Sequence, residues 1–204
     1  DETGFPSLFF FEPETLIRLS PTEIYIEADD PGKIFQEIED AVPEKPGPQQ
    51  QVSIRQRFSR EEYLAVLGKL KQHILRGDCY EINFCQEFFA RNTTIDPVSV
   101  YQKLSAISPN PFSALYRTGD NWLICASPER FLCKQGGHIL SQPIKGTSRR
   151  NQRDEEEDEV SREALGASAK DRSENVMVVD LVRNDLAKIC KEGTVKVDEL
   201  FGLY

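Results

Sequence analysis

The sequence predicts a mixed α+β fold in which short antiparallel hairpins alternate with helices. Three observations support this prediction. A capped amphipathic helix begins at Ser59, the hydrophobic period then changes from that of a helix to that of a strand, and glycine-containing turns later separate strand-forming runs. Strands joined by tight turns pair antiparallel, and such hairpins interspersed with helices are typical of the α+β class.

The composition restricts the class of protein and its partners. The chain has 204 residues, enough for one domain or slightly more, whose core needs no disulfide or metal to fold. A formal charge of −9 argues against nucleic acid and anionic membranes as partners, and no apolar run is long enough to cross a bilayer. Five cysteines without a Cys-x-x-Cys pair favour free thiols and a cytoplasmic location.

The first part of the chain, residues 1–50, is predicted to be an N-terminal segment with a Pro-rich linker, and residues 51–204 to be a separate domain. Ile24 and Ile26 alternate with less apolar neighbours, which indicates a short strand. Three prolines and a glycine within residues 43–51 prevent both a helix and a central strand, so this stretch is predicted to be the linker.

The clearest helix signal begins at Ser59. Ser59 and Glu62 have the spacing of a capping box, in which each side chain accepts a hydrogen bond from the backbone N–H of the other. The apolar residues that follow share one helix face: Tyr63, Leu67, Leu70 and Ile74. Gly77 is the expected left-handed residue that ends the helix. From Asp78 to Arg91 the period changes to that of a strand with one apolar and one polar face.

Two hairpins are predicted in the second half of the chain from four strand-forming runs joined in pairs by glycine-containing turns. The runs cover residues 112–118, 122–127, 131–134 and 138–141. A helix capped by Asp96, with Pro97 in its first turn, precedes them and ends near Ile107. The acidic stretch 151–159 is predicted to be a solvated loop or a helix start. A helix over about 171–190 follows, and alternation around residues 195–200 indicates one more strand.

Two turns beside the last hairpin carry side chains suited to catalysis. Glu129 follows a proline at the end of a strand, where the proline ends the ladder and aims the next side chain away from the sheet. Lys145 lies between a proline and Gly146, so an ammonium, a backbone N–H and the Thr147 hydroxyl can approach an anion together. Each motif alone is also compatible with an ordinary side chain that faces solvent.

The last predicted helix carries carboxylates among apolar residues, and each must be paired, exposed or bound to a cation. Glu174 and Asp185 lie about 16 Å apart along the helix axis, too far to share one ion. A metal here would take one carboxylate and further ligands from elsewhere, as Mg²⁺ does. Alternatively, Asp171 and Glu174 form a capping box. For Asp180 and Asp185 we prefer an ion-pair network with Arg183.

Four segments together resemble, in order and spacing, the chorismate-utilising enzyme family: Gly77 to Asn83, Ser127 to Phe131, Pro143 to Thr147, and Glu174 to Ile189. The resemblance covers roughly residues 55–204. It implies a sandwich of two packed antiparallel sheets flanked by helices, with the active site between the sheets. Because the family's catalytic domain continues past the position of Tyr204, we expect this chain to be the N-terminal part of that domain, inactive by itself and with an exposed core edge.

The resemblance also implies a role for each candidate residue. Lys145 corresponds to the nucleophile that attacks C2 of chorismate and expels the 4-hydroxyl, and Glu129 to the acid that protonates that hydroxyl. Gly146 and Thr147 correspond to the turn that contacts the ring carboxylate. Glu174 corresponds to a carboxylate that binds Mg²⁺. Ammonia, which the family normally receives from a glutamine amidotransferase subunit, then adds at C4 and releases the lysine.

Lys145 distinguishes the branches of this family, because anthranilate synthases carry Ala there and isochorismate and salicylate enzymes carry a small residue. The resemblance therefore implies amination of chorismate at C4, which gives 4-amino-4-deoxychorismate for para-aminobenzoate and folate biosynthesis. Anthranilate synthesis and a non-catalytic module that binds chorismate or a partner are the alternatives. Glu81 stands where many synthases carry Gln. Its place on the polar strand face leads us to expect it in the substrate cavity, with its role open.

Overall fold

The architecture combines helices with antiparallel strand pairs, which confirms the predicted α+β class. A computed structural model describes residues 3–42 and 51–204, and the chain divides into two compact units, Asp1–Val100 and Tyr101–Tyr204. Within the described residues every sheet is a two-stranded antiparallel pair. The predicted linker lies outside the described residues except for Gln51.

The first unit begins with a hairpin and a helix. Strand β1 (Leu16–Leu19) pairs with β2 (Ile24–Glu27), which confirms the strand predicted from the isoleucine alternation. Helix α1 (Pro31–Asp40) follows, and its cap residue Asp30 accepts a hydrogen bond from the Lys33 N–H at 3.0 Å. The sequence analysis missed α1, although an Asp-Pro pair marks its start in the same way as at Asp96-Pro97.

The capped helix begins where the sequence predicts. Helix α2 (Arg60–Leu75) has Ser59 as its cap. The Glu62 N–H donates to the Ser59 hydroxyl oxygen at 3.2 Å, and the Ser59 N–H donates to the Glu62 carboxylate at 2.8 Å. Gly77 follows the helix with φ +80°, as expected for a residue in the left-handed region.

The strand predicted from Asp78 to Arg91 is largely wrong. Only β4 (Phe88–Phe89) forms, and it pairs with β3 (Arg55–Gln56) over two residues. The preceding residues instead pack against α2, where the Tyr63 ring stacks on Phe84 with centroids 5.0 Å apart. Alternation of apolar side chains indicates which residues face a packing surface. A strand also needs a neighbouring strand that forms hydrogen bonds with its backbone N–H and C=O groups.

The second unit holds the two predicted hairpins. Helix α3 (Pro97–Ile107), whose first turn still belongs to the first unit, precedes them. Strands β5 (Phe112–Thr118) and β6 (Asn121–Ser127) form one hairpin, and β7 (Arg130–Gln135) and β8 (His138–Gln142) form the other. Their turns contain glycines with φ +59° and +57°, which explains why glycine is required there. All four strands agree with the predicted runs within one residue at each end.

Two helices complete the second unit. Helix α4 (Glu155–Ala167) begins inside the acidic stretch, with Asp154 as its cap, so the helix-start alternative is confirmed. Helix α5 (Ala169–Ala187) confirms the last predicted helix, shifted by two to three residues at its ends. No strand forms at residues 195–200, so that prediction is wrong. Within the described residues no helix has the length and apolar character to cross a bilayer.

Apolar side chains on the hairpins and helices are incompletely covered. None of the described residues is fully buried, and Phe131 on β7 and Leu181 on α5 are 84% and 60% exposed. All five cysteines are free, as predicted from their number and spacing.

Candidate active site

Glu129 lies in the turn between β6 and β7, where local hydrogen bonds fix its backbone. Its N–H donates to the Ser127 hydroxyl oxygen at 3.2 Å, and that hydroxyl donates to the Glu129 carbonyl at 3.3 Å. The exposed side chain reaches the segment after β8, where its Oε1 accepts a hydrogen bond from the Ile144 N–H at 3.2 Å. The fold thus brings Glu129 to the residue directly before Lys145.

Lys145 is half-buried and lines a cavity of about 40 Å³ within the second unit. Helix α4, helix α5 and the segment after them provide the other walls. Those residues are Leu165, Gly166, Asp171, Arg172, Asn175, Phe201, Gly202 and Leu203. The sequence analysis left open whether this lysine faces solvent. The structure places it beside a small cavity whose walls are both polar and apolar, so the side chain is not fully surrounded by solvent.

Gly146 is required for two separate reasons. Its φ is +79°, which side chains other than glycine rarely adopt. In addition, a Cβ on this residue would lie 2.9 Å from Cγ and 3.0 Å from Cβ of Asp171. The neighbour that requires glycine here is therefore the first turn of α5, and the approach of an anion to the Pro-Lys-Gly turn stays a prediction. Thr147, the next residue, is exposed.

The loop after Thr147 is fastened to α4 by one carboxylate. Asp158 accepts from the Arg150 guanidinium at 2.7 Å and from the Asn151 N–H at 2.8 Å. The hydrogen bond from Arg150 is the main reason that the pKa of Asp158 lies below its ordinary value. These contacts fix the path of the chain that leaves the Lys145 turn.

Glu174 is not part of a capping box, so that alternative is wrong. The cap of α5 is Ser168, whose hydroxyl oxygen accepts from the Asp171 N–H at 3.3 Å. Cap position is decided by where the preceding helix ends, here at Ala167, which the residue spacing alone does not show. Glu174 instead lies one turn further along and pairs with Lys170 at 3.4 Å, with its side chain 29% exposed.

The other acids of α5 are paired locally, as preferred from the sequence. Asp180 contacts the Arg183 guanidinium at 2.6 Å, and Asp185 contacts the Lys188 ammonium at 2.8 Å. The pairing differs in one respect from the prediction, because Lys188 and not Arg183 neutralises Asp185. Exposed pairs of this kind add little stability. Because Asp180 and Asp185 are paired in this way, we do not include them in the candidate site.

The family model for chorismate binding enzymes matches residues 3–204, nearly the whole chain. This chain belongs to that family. The match also includes the N-terminal residues, which carry few of the motifs from which the resemblance was inferred.

The relatives of this chain carry the names of two branches of the family, aminodeoxychorismate synthase and anthranilate synthase. The chain is 39% identical over 147 residues to aminodeoxychorismate synthase component 1 of Klebsiella aerogenes, covering 72% of this chain and 32% of that protein. It is 31% identical over 210 residues to an anthranilate synthase component I-like protein of Synechocystis, covering 100% of this chain and 43% of that protein. The chain thus spans a third to less than half of the length of these relatives.

A solved structure of anthranilate synthase component I from Streptococcus pneumoniae shares the fold. The TM-score is 0.67 at 22% identity, with 82% of this chain and 39% of that chain covered. The predicted fold class is therefore confirmed as that of anthranilate synthase component I, present here in part.

The sequence analysis missed three residues that lie beside Lys145 in the structure. Asp171 and Asn175 line the cavity, and the Asn175 amide oxygen is buried without a hydrogen-bond partner among the described residues. Asp171 and Asn175 lie on the same helix face as Glu174, because the residues are separated by one, three and four positions. This spacing is visible in the sequence and could have identified both residues. Phe201 also lines the cavity and stacks on Arg172, with 3.9 Å from guanidinium carbon to ring centroid. No local pattern indicates that contact.

The side chains near Glu174 decide whether the chain can hold the Mg²⁺ that the resemblance implies. The described residues contain no group of three His, Cys, Asp or Glu side chains that could hold a metal. Glu174 nevertheless fits as a single oxygen ligand, because it is partly exposed and its partner Lys170 is an exposed, weakly bound cation. Mg²⁺ commonly keeps several waters and takes only one or two protein carboxylates.

Glu81 lies in the first unit, in the segment that does not form the predicted strand, and its side chain is exposed. The expectation that it lies on the polar face of a strand is wrong for this reason. Its contribution to the substrate cavity stays a prediction.

Proposed function

We propose that this chain is part of an enzyme that aminates chorismate at C4 with ammonia, which yields 4-amino-4-deoxychorismate for para-aminobenzoate and folate biosynthesis. The observation that carries the proposal is the position of Lys145. It lines a cavity in the second unit, and the Glu129 carboxylate binds the backbone one residue before it. A primary amine and a carboxyl group held on adjacent turns are the two groups that the reaction requires.

Lys145 is proposed to act as a covalent nucleophile. Its neutral amine attacks C2 of the ring, both ring double bonds shift, and the C4–O bond breaks so that the 4-hydroxyl departs as water after Glu129 donates a proton. Ammonia then adds at C4, both double bonds shift back, and the bond between C2 and the lysine breaks. An ordinary lysine is only about 0.04% neutral at pH 7, so the proposed mechanism requires a site that favours the uncharged amine.

Gly146, Thr147 and Glu174 are proposed to hold the substrate. The left-handed Gly146 exposes its backbone to close approach, and Thr147 adds a hydroxyl donor next to it. Glu174 would hold the Mg²⁺, which supplies positive charge for a substrate carboxylate. Asn175 offers a buried acceptor to a donor group in the same cavity.

Ammonia is proposed to come from a glutamine amidotransferase subunit in the cytoplasm. The proposal is supported by the similarity to proteins named aminodeoxychorismate synthase component 1, a name that itself denotes one component of an assembly. Purification of the complete gene product with the candidate subunit, followed by glutamine-dependent turnover, tests this part.

The reaction is tested with the complete protein, chorismate, Mg²⁺ and ammonium at alkaline pH. Formation of 4-amino-4-deoxychorismate by the wild type, together with its loss in Lys145→Ala, is the expected result. Lys145→Arg serves as the matched control, because it keeps the charge but supplies no neutral amine. Undiminished product formation in Lys145→Ala would refute the covalent role.

Anthranilate synthesis is the second candidate, because one relative that matches the whole chain is named an anthranilate synthase component I-like protein and the solved neighbour is an anthranilate synthase component I. Both reactions use chorismate and ammonia, so the product decides. Anthranilate fluorescence in the wild-type reaction, with pyruvate released, would assign the protein to that branch. Its absence with accumulation of the 4-amino compound supports the first candidate.

A further inference from the structure

The open end of the β7–β8 hairpin is closed by a side-chain contact. Arg130, the first residue of β7, lies directly opposite Gln142, the last residue of β8. The Arg130 Nε–H donates to the Gln142 amide oxygen at 2.8 Å. The guanidinium carbon also lies 4.8 Å from the centroid of the Phe112 ring at the start of β5. The Arg130 side chain therefore contacts both the end of β8 and the first residue of β5 in the neighbouring hairpin.

A second contact joins the two chain segments just beyond this pair. The Ile144 N–H, two residues after Gln142, donates to Oε1 of Glu129, the residue directly before Arg130. The register of β7 against β8 shifts between Arg130 and Cys133, so the regular backbone ladder does not by itself set the spacing here. Among the contacts between β7 and β8, the Arg130–Gln142 hydrogen bond lies nearest to Glu129.

The same contact directs a cation away from Glu129. Arg130 follows Glu129 in sequence, yet within the described residues no ion pair joins them. The guanidinium instead contacts Gln142 and the Phe112 ring. A guanidinium paired with Glu129 would keep this carboxyl group ionised and remove the proton that an acid must donate.

We infer that Arg130 and Gln142 are positioning residues that orient the Glu129 carboxyl group so that Oε1 accepts from the Ile144 N–H and Oε2 carries the transferable proton. This inference rests on the proposed function. A protonated carboxyl group has one acceptor oxygen and one O–H, and the fixed N–H donor selects Oε1 as the acceptor. Oε2 then donates its proton to the departing hydroxyl oxygen, and the carboxylate formed keeps the Ile144 hydrogen bond.

The test compares variants of the complete protein in the assay with chorismate, Mg²⁺ and ammonium. Gln142→Met keeps the length of the side chain but lacks the acceptor, and is expected to lower kcat at least tenfold with KM for chorismate within twofold of wild type. Gln142→Glu keeps an acceptor for Arg130 and is expected to retain kcat within threefold. A role in overall stability alone would not separate kcat from KM in this way.

Arg117 provides a matched control for Arg130. Its Nε–H also donates to an oxygen at 2.8 Å, the Gly119 carbonyl, and its guanidinium lies 4.9 Å from the Trp122 ring. It occupies the closed end of the β5–β6 hairpin, away from Glu129. Arg130→Lys is expected to lower kcat at least tenfold, and Arg117→Lys to leave it within twofold. Equal effects of the two variants would overturn the inference.

Hydrogen exchange tests the geometry without catalysis. The Ile144 amide is expected to be protected in the wild type, to exchange at least tenfold faster in Glu129→Ala, and to lose protection in Gln142→Met but not in Gln142→Glu. Unchanged exchange in Gln142→Met, or kcat of that variant within twofold of wild type, overturns the positioning role. A wild-type protein that forms no aminated product refutes the proposed function, and the exchange comparison still decides the role of Arg130 and Gln142.

Discussion

Replacement of Gly146 by alanine tests how the Lys145 turn is built. Two independent costs apply. An L-residue in the left-handed region costs about 1–2 kcal/mol, offset by roughly 0.4–1 kcal/mol because alanine restricts the unfolded chain. The new methyl group would also lie 2.9–3.0 Å from side-chain atoms of Asp171. The carboxyl group of Asp171 can rotate, but its Cβ is fixed by helix α5, so overpacking adds about 1–3 kcal/mol.

The expected loss for Gly146→Ala is therefore about 2–4 kcal/mol in the free energy of unfolding. Gly136 is the matched control, because its φ is +57° and a Cβ there would meet nothing within 4 Å. Gly136→Ala carries only the backbone cost, about 1 kcal/mol after the offset. The difference between the two variants isolates the contact between the turn and α5.

The assay is urea denaturation of the complete protein, followed by circular dichroism, with the two variants and the wild type in parallel. A common slope with shifted midpoints would show that the variants change stability and not the unfolded state. If Gly146→Ala and Gly136→Ala lose the same free energy within about 0.5 kcal/mol, the close contact with Asp171 does not exist in solution.

Three further predictions concern a cap, a pH-dependent pair and the metal. Ser59→Ala should lower the free energy of unfolding by about 1 kcal/mol while Ser59→Asp keeps the cap, as measured by denaturation. Because the folded-state pKa of Asp158 lies below its ordinary value of 3.8, its pairing with Arg150 stabilises the fold above that pH and is lost as the pH falls through the lower folded-state pKa. Asp158→Asn should therefore unfold more easily than wild type near neutral pH, and the difference should shrink in acid. Glu174→Gln should raise the Mg²⁺ concentration for half-maximal activity at least tenfold, whereas Asp185→Asn on the same helix should leave it unchanged.

Local signals predicted the elements whose stabilising contacts lie close in sequence. The Ser59 box, the Asp96 cap and the glycine turns all act within about four residues, and the structure forms each of them. The same logic explains the errors. The alternation after Gly77 predicts a strand, but whether a partner strand is present depends on residues far away in sequence. The cap of α5 depended on where α4 ends.

The site divides in the same way. Lys145, Glu129 and Glu174 were identified as chemically suited residues from the sequence, since reactive groups beside turns and acids within an apolar helix are visible there. The sequence alone did not show that Glu129 binds the Ile144 N–H, 15 residues away, or that Gly146 contacts Asp171. The match of nearly the whole chain to one family, including residues 3–50, also exceeded what the motifs alone indicated.

The amino-acid sequence by itself determined the capped helices α2 and α3, the two hairpins of the second unit and the reactive side chains, because caps and turns are set by neighbouring residues. Only the tertiary structure decided which of those side chains meet. The contacts of Glu129 with Ile144, of Arg130 with Gln142 and of Gly146 with Asp171 join residues that the chain brings together only after its elements pack. Such contacts depend on strand register and helix ends, which many distant residues fix jointly.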